Sequence, residues 1–465
     1  MRALPGSAEI TRFSEVLADL IGMQFAEAKH DELGKVLHKR MQLHDLDCEA
    51  YLVRLTAAPG RAELAQLARE LTVTETYFMR HIEQFQALAE VALPERIAPA
   101  MGRPMQILSA GCSSGEEAYS IAMILRERFP QAGAVITALD LNPAVLQKAA
   151  KGQYGTWSLR ACPEETRARW FRKSGELFEL DASLRSMVRF EERNLTEAAP
   201  EFWHEGRFDI VFCRNILMYF SPEQAQAAVA RIAHAMAPGA YLFLGHAETL
   251  RGLSNEFHLC HTHNAFYYSR KNVTTAALPA TATQEPLPPM RLPQDTSWFE
   301  AIQQAAARVH ALTAEPAPAP QQGTAQPDTD ALLLQAVNAS HDGKLDQAEA
   351  LCHALLEADD MNAGAHYVLA LCREGRGDPF GASEHGRIAA YLDPGFAMPR
   401  LHLGLALRRM ERRAEARIEL EAAAALLQLE DPARVLLFGG GFRREALIAL
   451  CRAELAAIAA LEERP

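Results

Sequence analysis

The chain has 465 residues, 49% of them apolar and 23% charged, with a formal net charge of −12. This length allows about three domains of roughly 150 residues, and the negative charge disfavours nucleic acid as the main partner. There is no run of about 20 apolar residues and no apolar N-terminal segment, so we expect neither a membrane span nor a signal peptide. Eight cysteines without a C-x-x-C pair argue against disulfides and a zinc site. They indicate a reducing, cytoplasmic location and no metal.

The first part of the chain, residues 1–95, is predicted to be an all-helical domain. Apolar residues recur there at helical spacing, as at Phe13, Val16, Leu17 and Leu20. Four basic residues, Lys35, His38, Lys39 and Arg40, fall on one of these helices. They form either a docking face for an acidic partner or an ordinary solvated face.

From residue 96 to residue 272, short apolar strands alternate with amphipathic helices. The predicted strands are Met105–Ser109, Ala134–Leu139, Phe208–Phe212 and Tyr241–Leu244. The predicted helices are Glu116–Arg128, Pro143–Ala150 and Pro222–Met236. Such alternation predicts a parallel sheet with helices on both faces. A last strand, Ala265–Ser269, follows without a helix and should therefore enter antiparallel.

Residues 273–328 are predicted to be an extended linker, because they hold nine of the 25 prolines. A single short helix could form inside it, at Trp298–Ala311.

Residues 329–465 are predicted to be a helical repeat domain. Alanines recur every 34 residues at Ala348, Ala382 and Ala416, and 34 is the tetratricopeptide period. A helix at about 443–461 would cap the stack. The alternative is a generic helical bundle, since the usual aromatic positions of the repeat are mostly missing.

A glycine turn joins the first predicted strand to the following helix. Gly111 and Gly115 would let the backbone approach a ligand, and the helix start offers unpaired N–H groups. Asp140, 25 residues beyond Gly115, ends the second strand, where an acid can accept the ribose hydroxyl protons of a nucleoside. These features predict a doubly wound sheet that binds a nucleoside.

Two other enzyme classes share parts of this turn. Gly111-x-Ser113-x-Gly115 also matches the nucleophile elbow of a hydrolase, but that elbow follows several strands, whereas helices precede this one. A nicotinamide dehydrogenase would prefer three spaced glycines, and this turn has two.

Single residues of this region also admit plainer interpretations. Ser114 and Glu117 have the spacing of a capping box, so Glu117 either caps its helix or reaches a ligand. Asp140 could cap the next helix instead of binding ribose. Arg214 and Asn215 follow a buried strand, where polar residues usually line the ligand crevice.

Several ordered motifs resemble the chemotaxis receptor methyltransferase family of the CheR type, over about residues 10–272. The motifs are Thr74–Arg80, Ser109–Met123, Ala138–Asn142, Asn194–Leu195, Phe212–Phe220 and Gly245–Glu248. Two positions depart from the family: Met79 stands where it has a second phenylalanine, and Thr74 where it has asparagine. Fusion to tetratricopeptide repeats resembles a subgroup that serves alternative chemosensory systems.

The resemblance implies an α/β fold, with a Rossmann-like class I methyltransferase domain between an all-α N-terminal domain and a C-terminal tetratricopeptide domain. It implies S-adenosyl-L-methionine as the cofactor. Asp140 would bind the ribose, Asn194 and Leu195 would flank the adenine, and Gly111 would lie against the bound molecule.

The same resemblance assigns the other end of the pocket. Arg80 would contact the methionine carboxylate and face the reaction centre, and Tyr219 would lie near the transferred methyl group, so these two are the catalytic candidates. Thr76 and Glu117 would complete the pocket. Arg214 and Asn215 would form its floor, with Thr74 at the position of the family's asparagine.

The substrate implied by the resemblance is a glutamate side chain on the cytoplasmic helices of a methyl-accepting chemoreceptor. A carboxylate acceptor is already ionised near neutral pH, so no histidine or cysteine base is required. The stretch from Phe171 to Phe190 would form a small strand insertion that docks receptor tails, and the repeats would recruit a protein or peptide partner. The alternative is a catalytically silent scaffold that acts through its repeats.

Overall fold

The computed structural model describes residues 4–57, 60–98, 103–272 and 329–462. The chain divides into two compact units, Met1–Thr274 and Thr275–Pro465. Within the described ranges, no helix combines the length and the apolar character needed to cross a membrane. The predicted linker, including the short helix at Trp298–Ala311, lies outside the described residues.

Four helices form the N-terminal part of the first unit. They are α1 Ser7–Ile21, α2 His30–His44, α3 Cys48–Ala57 and α4 Arg61–Leu71. Their apolar faces meet in one core in which Phe13, Leu17, Leu37, Tyr51 and Leu55 are completely buried. The helical periodicity predicted from the sequence is therefore confirmed, since the side chains that set it are those that the helices bury.

The basic cluster on α2 is not one exposed face. Arg40 is buried, and its Nε donates to Glu63 Oε1 over 2.8 Å. Tyr51 and His44 bond the same carboxylate, at 2.7 and 2.6 Å. Lys39 forms an ion pair with a glutamate of α4. The interpretation of Arg40 as part of a surface patch is wrong, because a buried glutamate requires a cation beside it.

A second helical stretch leads from these helices into the sheet. It comprises α5 Ile82–Ala87, a π-helical turn Leu88–Ala92 and α6 Leu93–Ile97. Phe85, Leu88 and Leu93 are buried in the same core as the central strands. The stretch that follows the Thr74–Arg80 motif is therefore fixed against the sheet.

The sheet has seven strands in the order β6-β2-β1-β7-β8-β10-β9. Its strands are β1 Met105–Ala110, β2 Ala134–Asp140, β6 Val188–Glu192, β7 Phe208–Cys213, β8 Met236–Leu244, β9 Phe257–Thr262 and β10 Ala265–Arg270. Strands β6, β2, β1, β7 and β8 run parallel, and β10 enters antiparallel as predicted. From β1 the chain adds β2 and β6 on one side of the sheet, and then crosses back to add β7 and β8 on the other side. Because parallel crossovers are right-handed, the helices of the two halves lie on opposite faces of the sheet. The predicted α/β fold is confirmed.

The helices of this sheet are α7 Glu116–Arg128, α8 Pro143–Lys151, α9 Glu164–Trp170, α10 Ala182–Arg185 and α11 Pro222–Ala235. A separate three-stranded sheet of β3 Gln153–Tyr154, β5 Leu177–Leu180 and β4 Phe171–Ser174 forms the predicted insertion. The predicted stretch Phe171–Phe190 differs from this sheet at both ends, because β3 precedes it and Phe190 belongs to β6, which pairs with β2 in the main sheet. Sequence analysis did not identify β6 or β9.

The second unit contains three pairs of helices and a cap. The first helices of the pairs are α12 Thr329–His341, α14 Ala363–Gly375 and α16 Ala397–Arg409. The second helices are α13 Leu345–Ala358, α15 Pro379–Leu392 and α17 Arg413–Leu426. The cap consists of α18 Pro432–Phe438 and α19 Arg444–Glu462. Corresponding helices begin 34 residues apart, so the predicted period is confirmed.

Small residues at fixed positions allow the paired helices to pack closely. A Cβ atom on Gly404 would come within 2.7 Å of Leu420 Cγ, so only glycine fits there without a shift of the neighbouring helix. Aromatic side chains support the stack at a different place from the one usual in tetratricopeptide repeats. Tyr367, Phe396 and Phe438 form one buried cluster, in which the Tyr367 hydroxyl donates to the Phe438 carbonyl.

Candidate functional site

A cleft opens at the carboxyl ends of β1, β2 and β7, where the strand order reverses and ligands bind in doubly wound sheets. It has two adjoining parts. The Asp140 cavity is lined by Thr74, Asp140, Asn194, Leu195 and Tyr219, together with Ile21 at the end of α1 and Met23 just after it. The Arg80 cavity is lined by Glu75, Thr76, Tyr77, Arg80, Glu117 and Arg214.

Gly111 and Asn215 line both cavities, so the two adjoin. Each of the eleven residues proposed for the site from the sequence lines one cavity or the other. The structure thus brings these residues together, while their roles as ligands or catalysts stay predictions.

The turn between β1 and α7 forms the inner wall of the cleft. Gly111 and Gly115 have positive φ angles of 64° and 89°. A Cβ atom on Gly111 would lie 2.3 Å from Ile216 Cδ1, so no side chain fits there. The Ser113 hydroxyl donates to the Thr74 carbonyl over 3.0 Å, which holds the turn against the Thr74–Arg80 motif.

Asp140 is bound to the backbone on both of its oxygens. Oδ2 accepts the N–H of Ser113 at 2.9 Å and Oδ1 accepts that of Asn142 at 2.8 Å. Burial raises the pKa of Asp140, and the two backbone donors oppose that rise. The alternative interpretation as a helix cap is wrong, because Asn142 caps α8 by accepting the N–H of Ala144.

Residues from the N-terminal helices close one side of the Asp140 cavity. Asn194 donates through Nδ2 to the Leu20 carbonyl at 3.1 Å. Met23 forms a β-bridge with Phe220, and the Gln24 N–H donates to the Tyr219 carbonyl at 2.7 Å. The contribution of this segment was missed, because a short bridge between distant residues leaves no periodic signal in the sequence.

Glu117 points into the Arg80 cavity rather than capping its helix. Ser109 Oγ donates to Glu117 Oε1 over 2.7 Å, and Arg214 Nε lies 3.5 Å from Oε2. Ser114 instead donates to the neighbouring carboxylate of Glu116. Burial raises the pKa of Glu117, although Arg214 and Ser109 oppose the rise. The capping-box alternative is therefore wrong.

Arg214 is almost fully enclosed at the base of the Arg80 cavity. Its Nη2 donates to the Arg80 carbonyl at 2.6 Å, whereas Nη1 is buried without a hydrogen-bond partner. Burial lowers the pKa of Arg214, and the Glu117 carboxylate works against that change. Buried donors normally have partners, so Nη1 indicates space for an acceptor group in this cavity.

Arg80 lies half-buried at the edge of the same cavity. Its Nη1 donates weakly to the Glu75 carbonyl at 3.4 Å, and its guanidinium lies 5.8 Å from the Tyr77 ring centre. Most of its donors therefore remain available to a ligand or substrate.

Glu248 orders the backbone beside the cleft, and this role was not identified from the sequence. Its carboxylate accepts three backbone N–H groups, from Asn215 at 2.7 Å, Gly245 at 2.7 Å and Met218 at 3.2 Å. It therefore ties the turn after β7 to the turn after β8. The Gly245–Glu248 motif was visible in the sequence, and this bonding explains it.

Four residues around the cleft that are not glycine have left-handed backbones. They are Met79, His81, Ser113 and Asn215, with φ angles between 48° and 59°. Side chains in that region cost free energy that the surrounding packing must offset, and such residues tend to cluster at functional sites. Their position around the cleft supports its assignment as the functional site.

Comparison with known proteins agrees with this geometry. Residues 74–266 match the family model described as "CheR methyltransferase, SAM binding domain". Chemotaxis protein methyltransferase 2 of Vibrio cholerae is 34% identical over 257 residues, which cover 54% of this chain and 88% of that protein.

A second group of relatives extends over most of the chain. The probable biofilm formation methyltransferase WspC of Pseudomonas aeruginosa is 30% identical over 426 residues, or 87% of this chain and 97% of that protein. The corresponding protein of Pseudomonas putida is 28% identical over 428 residues, 89% of this chain and 97% of its own length. Alignments of that length must include the C-terminal helices. The chain belongs to the CheR family of methyltransferases, which use S-adenosylmethionine.

Proposed function

We propose that this protein transfers a methyl group to glutamate side chains on the cytoplasmic helices of a methyl-accepting chemoreceptor, forming γ-methyl esters. The observation that supports this most is the pair of adjoining cavities. One holds a half-buried acid, Asp140, and the other holds two arginines, on positions that match the family's motifs. S-adenosylmethionine is a nucleoside joined to an amino acid, so its site needs an acid for the ribose hydroxyls and a cation for the amino-acid carboxylate.

The residues present fit S-adenosylmethionine. Asp140 keeps free lone pairs beside its two backbone bonds and would accept the ribose hydroxyl protons. Asn194 and Leu195 would flank the adenine. Arg214 Nη1, buried without a partner, would meet the methionine carboxylate together with Arg80.

The reaction needs alignment rather than proton transfer. The bound cofactor supplies a methyl group on a sulfonium, which is already an activated leaving group. A glutamate acceptor with an ordinary pKa of about 4.3 is ionised at neutral pH, so its oxygen attacks without a base. Arg80 would hold the acceptor glutamate and the carboxylate end of the cofactor, so that the attacking oxygen, the methyl group and the sulfur can align. Tyr219 would restrict the space near the methyl group. The walls of the cleft would exclude water from the carboxylate.

One histidine near the cleft supports a mechanism without a base. His81 is half-buried and lies beside Arg214, Arg80 and His246. Burial, followed by the positive charge of Arg214, lowers the pKa of His81 to about 4. A base this weak is a poor proton acceptor, so His81 would shape the cleft instead.

The C-terminal repeats are proposed to be a separable module that recruits a protein or peptide partner, in the domain order 1–95, 96–272, 273–328 and 329–465. The similarity to relatives named WspC extends over the repeats, which favours a biofilm-type chemosensory system over flagellar chemotaxis. Truncation after Arg270 should leave cofactor affinity unchanged while abolishing partner capture. Loss of cofactor binding in the truncated protein would contradict this division.

The ester is the feature that tests the proposed reaction. The protein is incubated with methyl-labelled cofactor and membranes that carry a methyl-accepting receptor, and the pH is then raised. Methyl esters hydrolyse in mild alkali and release volatile methanol, whereas N-methyl groups remain on the protein. Label that survives alkali would refute the glutamate assignment. An absence of any transfer, combined with intact cofactor binding, would favour the silent scaffold.

A further inference from the structure

Three side chains form a stacked surface next to the cleft. The Arg160 guanidinium lies 3.8 Å from the ring centre of Tyr77 and 4.2 Å from that of Trp157. Its Nη1 donates to the Trp157 carbonyl at 2.8 Å, and its Nη2 donates to Glu75 Oε1 at 3.2 Å. We call Tyr77, Trp157 and Arg160 the Trp157 platform.

The platform adjoins the Arg80 cavity through Tyr77. The Tyr77 ring lines that cavity, and the same ring lies 5.8 Å from the Arg80 guanidinium. Glu75, on the same rim, has a side chain that is 64% exposed. An acceptor protein bound at this rim would therefore lie next to Arg80.

The platform is fixed to the cofactor side of the cleft. The Phe78 N–H donates to the Ser158 carbonyl at 2.9 Å, which joins the Tyr77 segment to the Trp157 segment. The Ser158 hydroxyl donates to Glu116 Oε1 at 3.0 Å, at the start of α7. Because these bonds fix both segments, the platform would lose little conformational freedom when a partner binds.

The chemistry of the platform suits a protein partner better than bulk water. Trp157 is 68% exposed, so a large apolar ring faces water in the free protein. Tryptophan, tyrosine and arginine are the residues that most often dominate binding energy at protein interfaces. All three types occur together here. A shallow concavity continues beyond Arg160, lined by Leu159, Cys162 and Arg167.

The charges at this surface select the type of partner. Arg160 has guanidinium N–H groups beyond the two that bond Trp157 and Glu75. Arg167 lines the concavity together with Glu164, and the two side chains form an ion pair at 4.0 Å, so the attraction for an acidic partner rests on Arg160. Arg80, Tyr77, Arg160 and Trp157 form a series of contacts in which neighbours lie 5.8, 3.8 and 4.2 Å apart. An acidic helix that carries apolar side chains near its acceptor glutamate matches this arrangement.

We propose that the Trp157 platform binds the acceptor helix of the substrate next to the glutamate to be methylated, and so helps to decide which glutamates react. This inference rests on the proposed function. Trp157 and Arg160 are specificity residues that hold the flanking turns of the helix, while the reacting carboxylate lies at Arg80.

The test compares wild type with Trp157→Ala, Arg160→Ala and Arg160→Lys, using labelled cofactor and membranes carrying a methyl-accepting receptor at varied concentration. Both alanine variants should raise KM for the receptor at least about fivefold, the size expected for an interface anchor. The value of kcat and the Kd for cofactor should stay within twofold. Arg160→Lys should recover only part of the loss, because lysine keeps the charge but not the planar stacking.

Arg126→Ala is the matched control. Arg126 is an exposed arginine near the end of α7 that lines neither cavity nor the concavity beyond Arg160, so the KM of this variant should equal that of wild type. An unchanged KM in Trp157→Ala and Arg160→Ala, with an active wild type, would overturn the platform alone. A loss of cofactor affinity in either variant would also overturn it, since the residue would then act on the cofactor. A wild type that forms no alkali-labile product would refute the proposed function and this inference together.

Discussion

Replacement of Asp140 by alanine tests the nucleoside end of the cleft most directly. The carboxylate accepts two backbone N–H groups, at 2.9 Å from Ser113 and 2.8 Å from Asn142. Alanine removes both acceptors at once, and with them the proposed bonds to the ribose. Water can enter the vacated space in the free protein, so the main loss should appear when the cofactor binds.

The magnitude follows from the kind of bond that is lost. A hydrogen bond to a charged group contributes about 1.5–3 kcal/mol, which raises the Kd for cofactor about 10- to 100-fold. Asp140→Asn should lose nearly as much, because its amide can accept from only one of the two backbone donors and turns an N–H towards the other.

Isothermal titration calorimetry with S-adenosylmethionine measures this change. Asp181→Ala is the control, since Asp181 is an exposed carboxylate that also accepts a backbone N–H, from Ser183, but lies outside the cleft lining. Its Kd should match wild type. If Asp140→Ala also binds cofactor within twofold of wild type, the nucleoside does not lie at the end of β2.

Three further predictions concern other parts of the molecule. Arg80→Ala should lower methyl transfer about 100-fold while leaving the melting temperature nearly unchanged, because its side chain orients the reaction and makes only one weak internal bond; turnover within twofold of wild type would contradict its role. Arg40→Ala should lower the free energy of unfolding by about 3–5 kcal/mol in urea titration, since it leaves the Glu63 carboxylate buried without its cation. The pKa of Glu63 is lowered to about 2, so its stabilising contribution is present above its ordinary pKa and lost only as the pH falls towards 2. Burial raises the pKa values of Glu117 and Asp140, so both take up protons at higher pH than ordinary carboxyls, and cofactor affinity should fall on acidification before ordinary carboxyl groups titrate; an affinity that stays constant as the pH is lowered into the ordinary carboxyl range would show that neither carboxylate is needed in its charged form.

The fold could be predicted wherever one element carried its own signal. The helix Glu116–Arg128 and the 34-residue repeat were found because periodicity and glycine turns act over short stretches of chain. Strand β6 was missed because its burial depends on pairing with β2, and its sequence, with charged residues at three of five positions, resembles a surface segment. The alternation of apolar and polar residues within one strand does not reveal which distant strand it pairs with.

The residues of the site also divide into those with a local signal in the sequence and those whose role depends on tertiary contacts. Asp140 and Arg214 were found because they follow buried strands, where the edge of a parallel sheet collects polar side chains. Arg40 was misinterpreted because its partner Glu63 lies on another helix, and only tertiary packing reveals that the pair is buried. The bonds from Glu248 to the backbone were missed for a similar reason, since a carboxylate that orders two turns looks like any surface acid in the sequence.

The left-handed backbones around the cleft have a consequence for laboratory evolution. Glycine adopts this conformation freely, so a selection that rewards heat resistance alone should enrich glycine at Asn215, where it relieves up to about 1 kcal/mol. Such a variant would survive heating yet lose the side chain that faces the cofactor turn, and its activity should decline as its melting temperature rises. A directed-evolution campaign on this enzyme would therefore need methyl transfer as a second criterion in every round.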